Sequence, residues 1–300
     1  MSDLILVIAR GMLRAFATTV VANIVAFTLV GYLPTVGVAF LGIGAANPNA
    51  VEAFNKTLKV PESFGEAILQ TFLFQWGNTL NDVSVVRMLW DAVQTSAPVF
   101  FTSCALIFAL IALGVLQPSH FKSGRLRSFI GFISFLPAFL PPFVLLAIAS
   151  VSVVDVVFVE GPWRQVLIGV TVGVVPGCLA LAAIIDAYQA EDTKRYAWVL
   201  RGFGLNAKRR YKLMRKSVML PLLPMFQKLV SLQVAILIFA EAIFSYPGFG
   251  GIFLSAIQRT DVNLILASIF CISVFIATIR LLGDVLTLAL DPRESAVGGA

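Results

Sequence analysis

The sequence predicts an all-α integral membrane protein with six transmembrane helices. Hydrophobic residues make up 59% of the 300 residues and charged residues only 13%, and the mean hydropathy is +0.92. A soluble domain of this length cannot bury so much apolar surface. Apolar runs long enough to cross a bilayer recur along the chain, and most basic residues fall in alternate loops between them.

Six apolar runs approach or exceed the length of about 20 residues that a spanning helix needs. The first run is longer than the core of a signal peptide, so we expect an uncleaved helix there. The predicted spans are Leu13 to Phe40, Ala97 to Leu116, Phe129 to Val154, Val166 to Ile185, Leu222 to Phe244 and Leu264 to Leu290.

The distribution of Lys and Arg predicts the orientation. Basic residues concentrate before the first span, between the second and third spans, and between the fourth and fifth spans. The positive-inside rule therefore places both termini in the cytoplasm. The net charge of +6 is explained by this topology, so we expect no nucleic-acid partner.

The predicted organisation has four parts. Residues 1–41 hold an N-terminal segment and the first span, 42–91 form an external loop region, 92–293 form a five-helix core with a cytoplasmic loop at 187–220, and 294–300 form a disordered tail. Within the external region, Ser63 to Gly77 is apolar but carries Glu66. It is either an interfacial helix or a small packed cap over the spans.

The third and fourth predicted spans contain Pro137, Pro141, Pro142 and Pro176. Proline removes a backbone hydrogen bond, and in lipid the released carbonyl needs a partner within the protein. The resulting kinks suit either helices that line a pathway or static bends in a packed bundle.

The sequence predicts no catalytic site and no metal site. Cys104, Cys178 and Cys271 each lie inside an apolar run without a neighbouring Cys or His, which favours small buried hydrophobic side chains. His120 is the single histidine, so an ordinary transition-metal site lacks ligands.

The most distinctive segment runs from Asp192 to Pro221 and contains nine Lys or Arg residues. Gly204 suits the left-handed position just past the end of a helix over Lys194 to Phe203, and Asn206 suits the N-cap of a second helix that runs through Met219. One face of the second helix is apolar at helical spacing; its residues are Ala207, Tyr211, Met214 and Val218.

Two interpretations of this basic segment are open on physical grounds alone. A basic amphipathic helix can rest on anionic lipid headgroups. Alternatively, the exposed glycine turn can dock into a soluble partner.

Several segments resemble those of a known family. They are YAWVLRGFGL at 196–205, LPLLP at 220–224, AEAIFSYPGFGG at 240–251, QRTDV at 258–262 and LALDPR at 288–293. In this order they resemble the membrane subunits of binding-protein-dependent ATP-binding-cassette importers. More narrowly, the sequence is similar to the permeases of the dipeptide, oligopeptide and nickel group.

Two motifs depart from the family pattern. The Glu-Ala-Ala that often precedes the loop glycine is replaced by Trp198, Val199 and Leu200, a triplet that the peptide group also relaxes. The Gly-Asp-Pro expected after the first span is missing, and Pro34-Thr35-Val36 stands near its place. The second departure bears on the substrate more than on the architecture.

The resemblance implies a type I ATP-binding-cassette importer permease fold in a bacterial cytoplasmic (inner) membrane. The turn around Gly204 would be the coupling helix that contacts an ATP-hydrolysing subunit. Its expected contact residues are Arg201, Gly202, Phe203, Gly204, Leu205, Asn206, Ala207 and Arg209.

The resemblance also implies the partners. Two ATP-binding subunits would hold ATP and Mg, because this chain has no GxxxxGK[ST] motif and is expected to bind no cofactor itself. A second homologous permease chain, or a copy of this one, would complete the pathway. An extracytoplasmic substrate-binding protein would deliver a peptide or a similar small solute.

For charged and polar residues near the ends of the spans, the sequence leaves several roles open. Glu241 would gate the pathway, meet the binding protein, or accept backbone hydrogen bonds from the turn at 246–251. Tyr246 and Asp261 are further candidates for the external gate or the binding-protein contact, although Asp261 also suits a helix cap. Lys228 and Arg280 would extend to the headgroups, and Asp284 is placed to pair with Arg280.

Two other functional classes fit the sequence less well. An intramembrane aspartyl protease would use Asp155 and Asp284, but the predicted topology puts these carboxylates at opposite faces of the membrane. A secondary transporter or channel would need coupling carboxylates near the midplane or an inverted repeat, and the sequence shows neither.

Overall fold

The computed structural model describes residues 2–31, 64–118, 124–137, 139–151 and 161–290. Over these ranges the chain forms eleven α-helices and one isolated β-bridge between Asn78 and Ser84. The helices are α1 (Ser2–Gly31), α2 (Phe64–Phe72), α3 (Val85–Leu116), α4 (Gly124–Ser134), α5 (Leu140–Val151), α6 (Pro162–Asp192), α7 (Arg195–Gly202), α8 (Ala207–Met219), α9 (Leu223–Ile243), α10 (Phe249–Arg259) and α11 (Val262–Leu290).

Five of the described helices are long and apolar enough to cross a membrane. They are α1 over Ile8–Thr28, α3, α6, α9, and α11 over Val262–Thr287. They correspond to the first, second, fourth, fifth and sixth predicted spans. Together with the all-helical architecture, they confirm the predicted multi-pass membrane class.

The third predicted span is not one continuous helix. Its residues form α4 and α5, of 11 and 12 residues, and neither is long enough to cross a bilayer alone. Pro137 lies in the link, and Pro141 and Pro142 occupy the first turn of α5, where proline is tolerated because those amides need no intrahelical partner. The third predicted span, and with it the total of six, therefore stays a prediction.

Two predicted boundaries differ from the structure. Helix α1 begins at Ser2, ahead of the predicted Leu13, and its predicted continuation to Phe40 lies outside the described residues. Helix α3 begins at Val85, so the last part of the predicted external loop is helical. Asp155, Pro34 and the tail from 294 also lie outside the described ranges.

The chain is organised as two compact units. The first comprises Met1–Ile8, Ala97–Ser245 and Leu282–Ala300, and the second comprises Ala9–Ser96 and Tyr246–Leu281. Helix α6 is the centre of the first unit, since α4, α5, α8 and α9 all pack against it.

A face of small residues lets α3 approach α6 closely. Gly169, Gly173 and Gly177 follow one another at intervals of four on α6 and therefore share one side of the helix. A Cβ at Gly173 would stand 2.8 Å from the backbone carbonyl oxygen of Ser103. Small residues at such spacing allow close helix packing in membranes.

In the second unit an aromatic and aliphatic core joins three helices to the segment after α2. Trp76 and Val85 pack with Ala256 of α10 and with Leu264 and Phe270 of α11. The stretch at 63–77, for which an interfacial helix and a packed cap were both open, therefore packs against the spans at its C-terminal end.

The close approach of α3 and α6 is testable at Gly173. We expect Gly173→Val to destabilise the protein by about 1–3 kcal/mol, because the added Cβ meets fixed backbone rather than a movable side chain. The measurement is the thermal unfolding midpoint of the detergent-solubilised chain. Gly131→Val is the control, since a Cβ at Gly131 has nothing within 4 Å; an equal loss in both variants would contradict the packing argument.

Candidate functional site

The basic segment folds as a helix, a glycine turn and a second helix. Helix α7 ends at Gly202, and Gly204 follows with a φ of +69°, a left-handed conformation that glycine adopts without the penalty a Cβ would impose. Asn206 is the N-cap of α8, and its side-chain oxygen accepts a hydrogen bond of 3.0 Å from the Arg209 amide. We call α7, this turn and α8 the basic elbow.

The apolar face of α8 fastens the basic elbow to the first unit. Tyr211, Met214 and Val218 are buried and pack with Ile184 and Tyr188 of α6. The rings of Tyr188 and Tyr211 meet edge to face, with centroids 5.3 Å apart. The predicted amphipathic helix is therefore confirmed, and its apolar side faces protein.

Asp192, the last residue of α6, ties together both helices of the basic elbow. The Arg201 side chain of α7 pairs with its carboxylate at 2.7 Å and also donates to its backbone carbonyl at 2.9 Å. The Arg210 side chain of α8 lies 3.9 Å from the same carboxylate. Because the Asp192 side chain is only 23% exposed, water screens these pairs less than surface pairs.

A second carboxylate at the same end of α6 binds the start of α7. Glu191 is buried, pairs with Lys194 at 2.5 Å and accepts a hydrogen bond from the Tyr196 hydroxyl. Desolvation raises the pKa of Tyr196 to about 12, and the hydrogen bond to Glu191 acts in the same direction. The phenol therefore stays protonated and donating across the physiological range.

The tip of the basic elbow presents an apolar side chain to solvent. Phe203 is 78% exposed, and Trp198 and Val199 are also exposed. The Arg201 guanidinium lies 5.5 Å from the centre of the Trp198 ring, within cation–π range. An aromatic tip surrounded by positive charge can insert into an apolar groove whose rim is acidic.

The structure brings together every predicted contact residue of the turn. All eight lie on α7, on the turn or in the first turn of α8. Gly202, Phe203, Gly204, Asn206 and Arg209 are exposed, whereas Leu205 and Ala207 are partly buried. This placement gives an accessible surface and leaves its role in partner binding a prediction.

The three candidates for the external gate are buried. Glu241 on α9 is completely inaccessible to solvent, and Tyr246 donates a hydrogen bond of 3.1 Å to the Thr95 carbonyl. Asp261 caps α11 by accepting from the Leu264 amide at 3.2 Å, and it also accepts from the Leu80 amide at 2.9 Å. Burial raises the pKa of Asp261, and these two hydrogen bonds partly offset the shift. In this conformation none of the three offers its side chain to a partner protein.

Other charged residues behave partly as predicted. Lys228 and Arg280 are exposed, as expected for side chains that reach headgroups. The Asp284 carboxylate accepts a hydrogen bond of 2.9 Å from Gln227 of α9. The predicted pair of Arg280 and Asp284 is inferred from spacing along one helix, and such spacing does not indicate a partner on another helix.

Sequence reasoning missed three polar positions. Glu191 and Asp192 anchor the basic elbow, and the acidic pair at the end of an apolar run was the available signal. Gln233 lies buried in α9, and its amide donates to the Ser103 hydroxyl at 2.5 Å and to the Phe100 carbonyl at 3.2 Å. A lone amide in an apolar run is the signal for such a cluster.

In the described part of the chain, no group of three or more His, Cys, Asp or Glu side chains is arranged to hold a metal ion.

The chemistry available at the basic elbow is that of a docking surface: an aromatic tip, guanidinium groups and a fixed backbone turn.

The family model described as "Binding-protein-dependent transport system inner membrane component" matches residues 111–296. The match covers more than half of the chain and includes the basic elbow and helices α6 to α11. A comparison with the curated proteins finds no match.

The anchoring role of Asp192 is testable by hydrogen exchange. We expect Asp192→Asn to lower the protection of amides in α7 and in the first turn of α8 by about tenfold, because the close ion pair with Arg201 and the longer contact with Arg210 both lose their acceptor charge. Mass spectrometry of peptides from 193–212 measures this loss.

Asp186→Asn is the matched control. Its partner is Arg127 at 2.8 Å, and the Asp186 side chain is 61% exposed, so the pair contributes little. Equal effects of the two substitutions on the basic elbow would refute the anchoring role of Asp192.

Proposed function

The chain belongs to the family of binding-protein-dependent transport system inner membrane components, and from this premise we propose that it forms the translocation pathway of an ATP-binding-cassette importer. Membership makes it a transport component of the membrane, and in the proposal it has no ATPase site of its own. In the proposal, separate subunits hydrolyse ATP, and the basic elbow transmits their movement to the spans.

The observation that carries the proposal is the fixed, exposed turn at Phe203 and Gly204. A coupling element must be accessible at its tip and rigid at its base. Phe203 meets the first requirement, and the contacts of Asp192 with Arg201 and Arg210 meet the second. Burying an exposed Phe side chain in a groove is worth about 1.5–3 kcal/mol, enough to make it a dominant contact.

The proposed topology has six spans with both termini in the cytoplasm. The third of these spans would consist of α4, α5 and the proline link between them. The basic elbow then lies on the cytoplasmic side, where the positive-inside rule places a segment so rich in Lys and Arg. Exposed basic side chains of α8, such as Lys212 and Lys216, would rest on anionic lipid headgroups and set the depth of the turn.

The proposed complex contains two ATP-binding subunits, which bind ATP and Mg, and a second permease chain that is either a homologue or a copy. An extracytoplasmic substrate-binding protein delivers the cargo to the outer face of a bacterial inner membrane. Residues 92–293 would form the permease core in this arrangement.

For the cargo we propose a peptide or a similar small solute. The support is the resemblance of residues 196–205 and 240–251 to the dipeptide, oligopeptide and nickel group. Glu241, Tyr246 and Asp261 would act at the external gate by positioning helices, since their burial favours a structural contribution over direct contact with the binding protein.

The alternative is a secondary transporter or channel that works without an ATPase partner. Such a protein would transport in response to an ion gradient alone and would have no use for an exposed aromatic tip on a basic elbow. Transport by the reconstituted chain in the absence of ATP-binding subunits would favour this alternative.

The proposal is tested by capture of the ATP-binding subunit. We expect Phe203→Glu to weaken capture about tenfold or more, because it removes an anchor of roughly 2 kcal/mol and places a charge in an apolar groove. The measurement is the amount of ATP-binding subunit that co-purifies with the affinity-tagged chain, together with substrate-stimulated ATP hydrolysis.

Two variants control for charge and shape. Phe203→Leu keeps an apolar tip and is expected to retain most of the binding. Leu213→Glu introduces the same charge at another exposed apolar position, outside the predicted contact set, and is expected to leave capture unchanged. If Phe203→Glu captures the subunit as well as the wild type does, the coupling role of the turn is wrong.

A further inference from the structure

We propose that the C-terminal end of α2 and the turn after it are immersed in the hydrocarbon core of the membrane, where an outward apolar face contacts lipid acyl chains. The segment belongs to the second unit, and in the sequence it lies between the candidate spans α1 and α3. It is therefore neither a loop above the membrane nor a helix confined to the headgroup layer.

The first step is the register of α1 against α11. Ala26 packs with Val262 and Leu266, and near the other end Leu281 lies directly over Gly11, with its Cδ1 atom 2.4 Å from where a Cβ would stand. The two helices are therefore antiparallel over most of their length, and positions on one give the depth of positions on the other.

The second step places α2 on this scale. The ring of Phe72 lies 5.5 Å from that of Phe16 on α1 and 5.4 Å from that of Phe270 on α11. Each of these two partners is at least eight residues from both ends of its candidate span, or about 12 Å at 1.5 Å per residue. Since these spans must cross a hydrocarbon core about 30 Å thick, Phe72 lies inside the core, whichever end of each helix is outside.

The third step concerns the backbone. A helix that ends in hydrocarbon must satisfy its last carbonyl groups within the protein, because no water is present. Three of the last four carbonyls of α2 accept hydrogen bonds. Leu69 accepts from the Leu73 amide at 2.9 Å, Gln70 from the Gln75 amide at 2.9 Å, and Thr71 from the Trp76 indole at 3.0 Å.

Three large apolar side chains agree with this depth. Leu69, Leu73 and Phe74 are each more than three-fifths exposed in the isolated chain, a costly arrangement in water and a favourable one in lipid. The polar residues of α2, Glu66 and Gln70, hydrogen-bond to each other at 3.0 Å.

The turn itself is held by aromatic contacts. Phe74 has a φ of +56°, which is unfavourable for a residue with a Cβ. Its ring lies 5.3 Å from Trp76 and 5.9 Å from Phe270. The chain then reaches the level at which α11 begins, where the Leu80 amide binds Asp261 and the Asn78 carbonyl accepts from Asn263 at 3.0 Å.

Collision of spin labels with membrane-soluble oxygen and with a water-soluble nickel chelate tests the depth. The full chain, with Cys104, Cys178 and Cys271 replaced by alanine, carries one labelled cysteine at Leu69 or Leu73 and is reconstituted in bilayers of phosphatidylethanolamine and phosphatidylglycerol. We expect both labels to collide several-fold more with oxygen than with the chelate.

Two positions calibrate the measurement. Val21 is exposed on α1 within its candidate span and reports lipid, whereas Asn81 is exposed near the start of α11 and reports water. Labels at 69 and 73 that match Val21 support the proposal. Labels that match Asn81, or that neither reagent reaches because another protein surface covers them, overturn it.

The unmodified chain provides a second measurement if the cysteine-free variant does not fold. A diazirine carried on a lipid acyl chain should modify peptides from 64–76, and a water-soluble diazirine should not; the reverse pattern overturns the proposal. This outcome is independent of any ATP-binding partner, so its failure is separable from failure of the proposed function.

Discussion

The structure depends first on one constraint: inside a bilayer every backbone polar group needs a partner within the protein. Five long helices meet it along most of their length. Where a helix begins or ends, a side chain or a backbone group of the adjoining turn supplies the missing hydrogen bond. Asp261 does so for the amides at the start of α11, and the indole of Trp76 does so for a carbonyl at the end of α2. The proline link between α4 and α5 interrupts the helix at Pro137, and these two helices pack against α6 in the first unit.

The basic elbow follows a different rule, because its stability comes from charge rather than from an apolar environment alone. Two adjacent carboxylates at the end of α6 face a segment of nine basic residues. Glu191 pairs with Lys194 and accepts a hydrogen bond from the Tyr196 hydroxyl. Asp192 pairs with Arg201 and contacts Arg210. These contacts use part of the positive charge to fix the fold. The remaining exposed charge is left to act on lipid or on a partner.

Sequence reasoning located most of the helices and the local fold of the basic elbow, because both follow from short-range patterns. Hydropathy predicted six spans, five of which correspond to long apolar helices, and Gly204 marked the left-handed turn and Asn206 the N-cap. The close approach of α3 and α6 at Gly173, the buried amide of Gln233 and the depth of α2 depend on residues far apart in sequence. No local pattern specifies which distant surfaces meet, so these features required the structure.

In the proposed importer, α6 is the element that carries movement through the first unit. At one end Asp192 holds the basic elbow, and near the other the Arg164 side chain donates at 2.6 Å to the Phe244 carbonyl, at the C-terminus of α9. A cation there also suits the helix dipole. Between these ends α6 is a single helix, and most of its middle is buried. A close-packed rod transmits displacement instead of absorbing it. A push on the turn at Phe203 would therefore reach the far end of α9 through two electrostatic contacts and one closely packed helix.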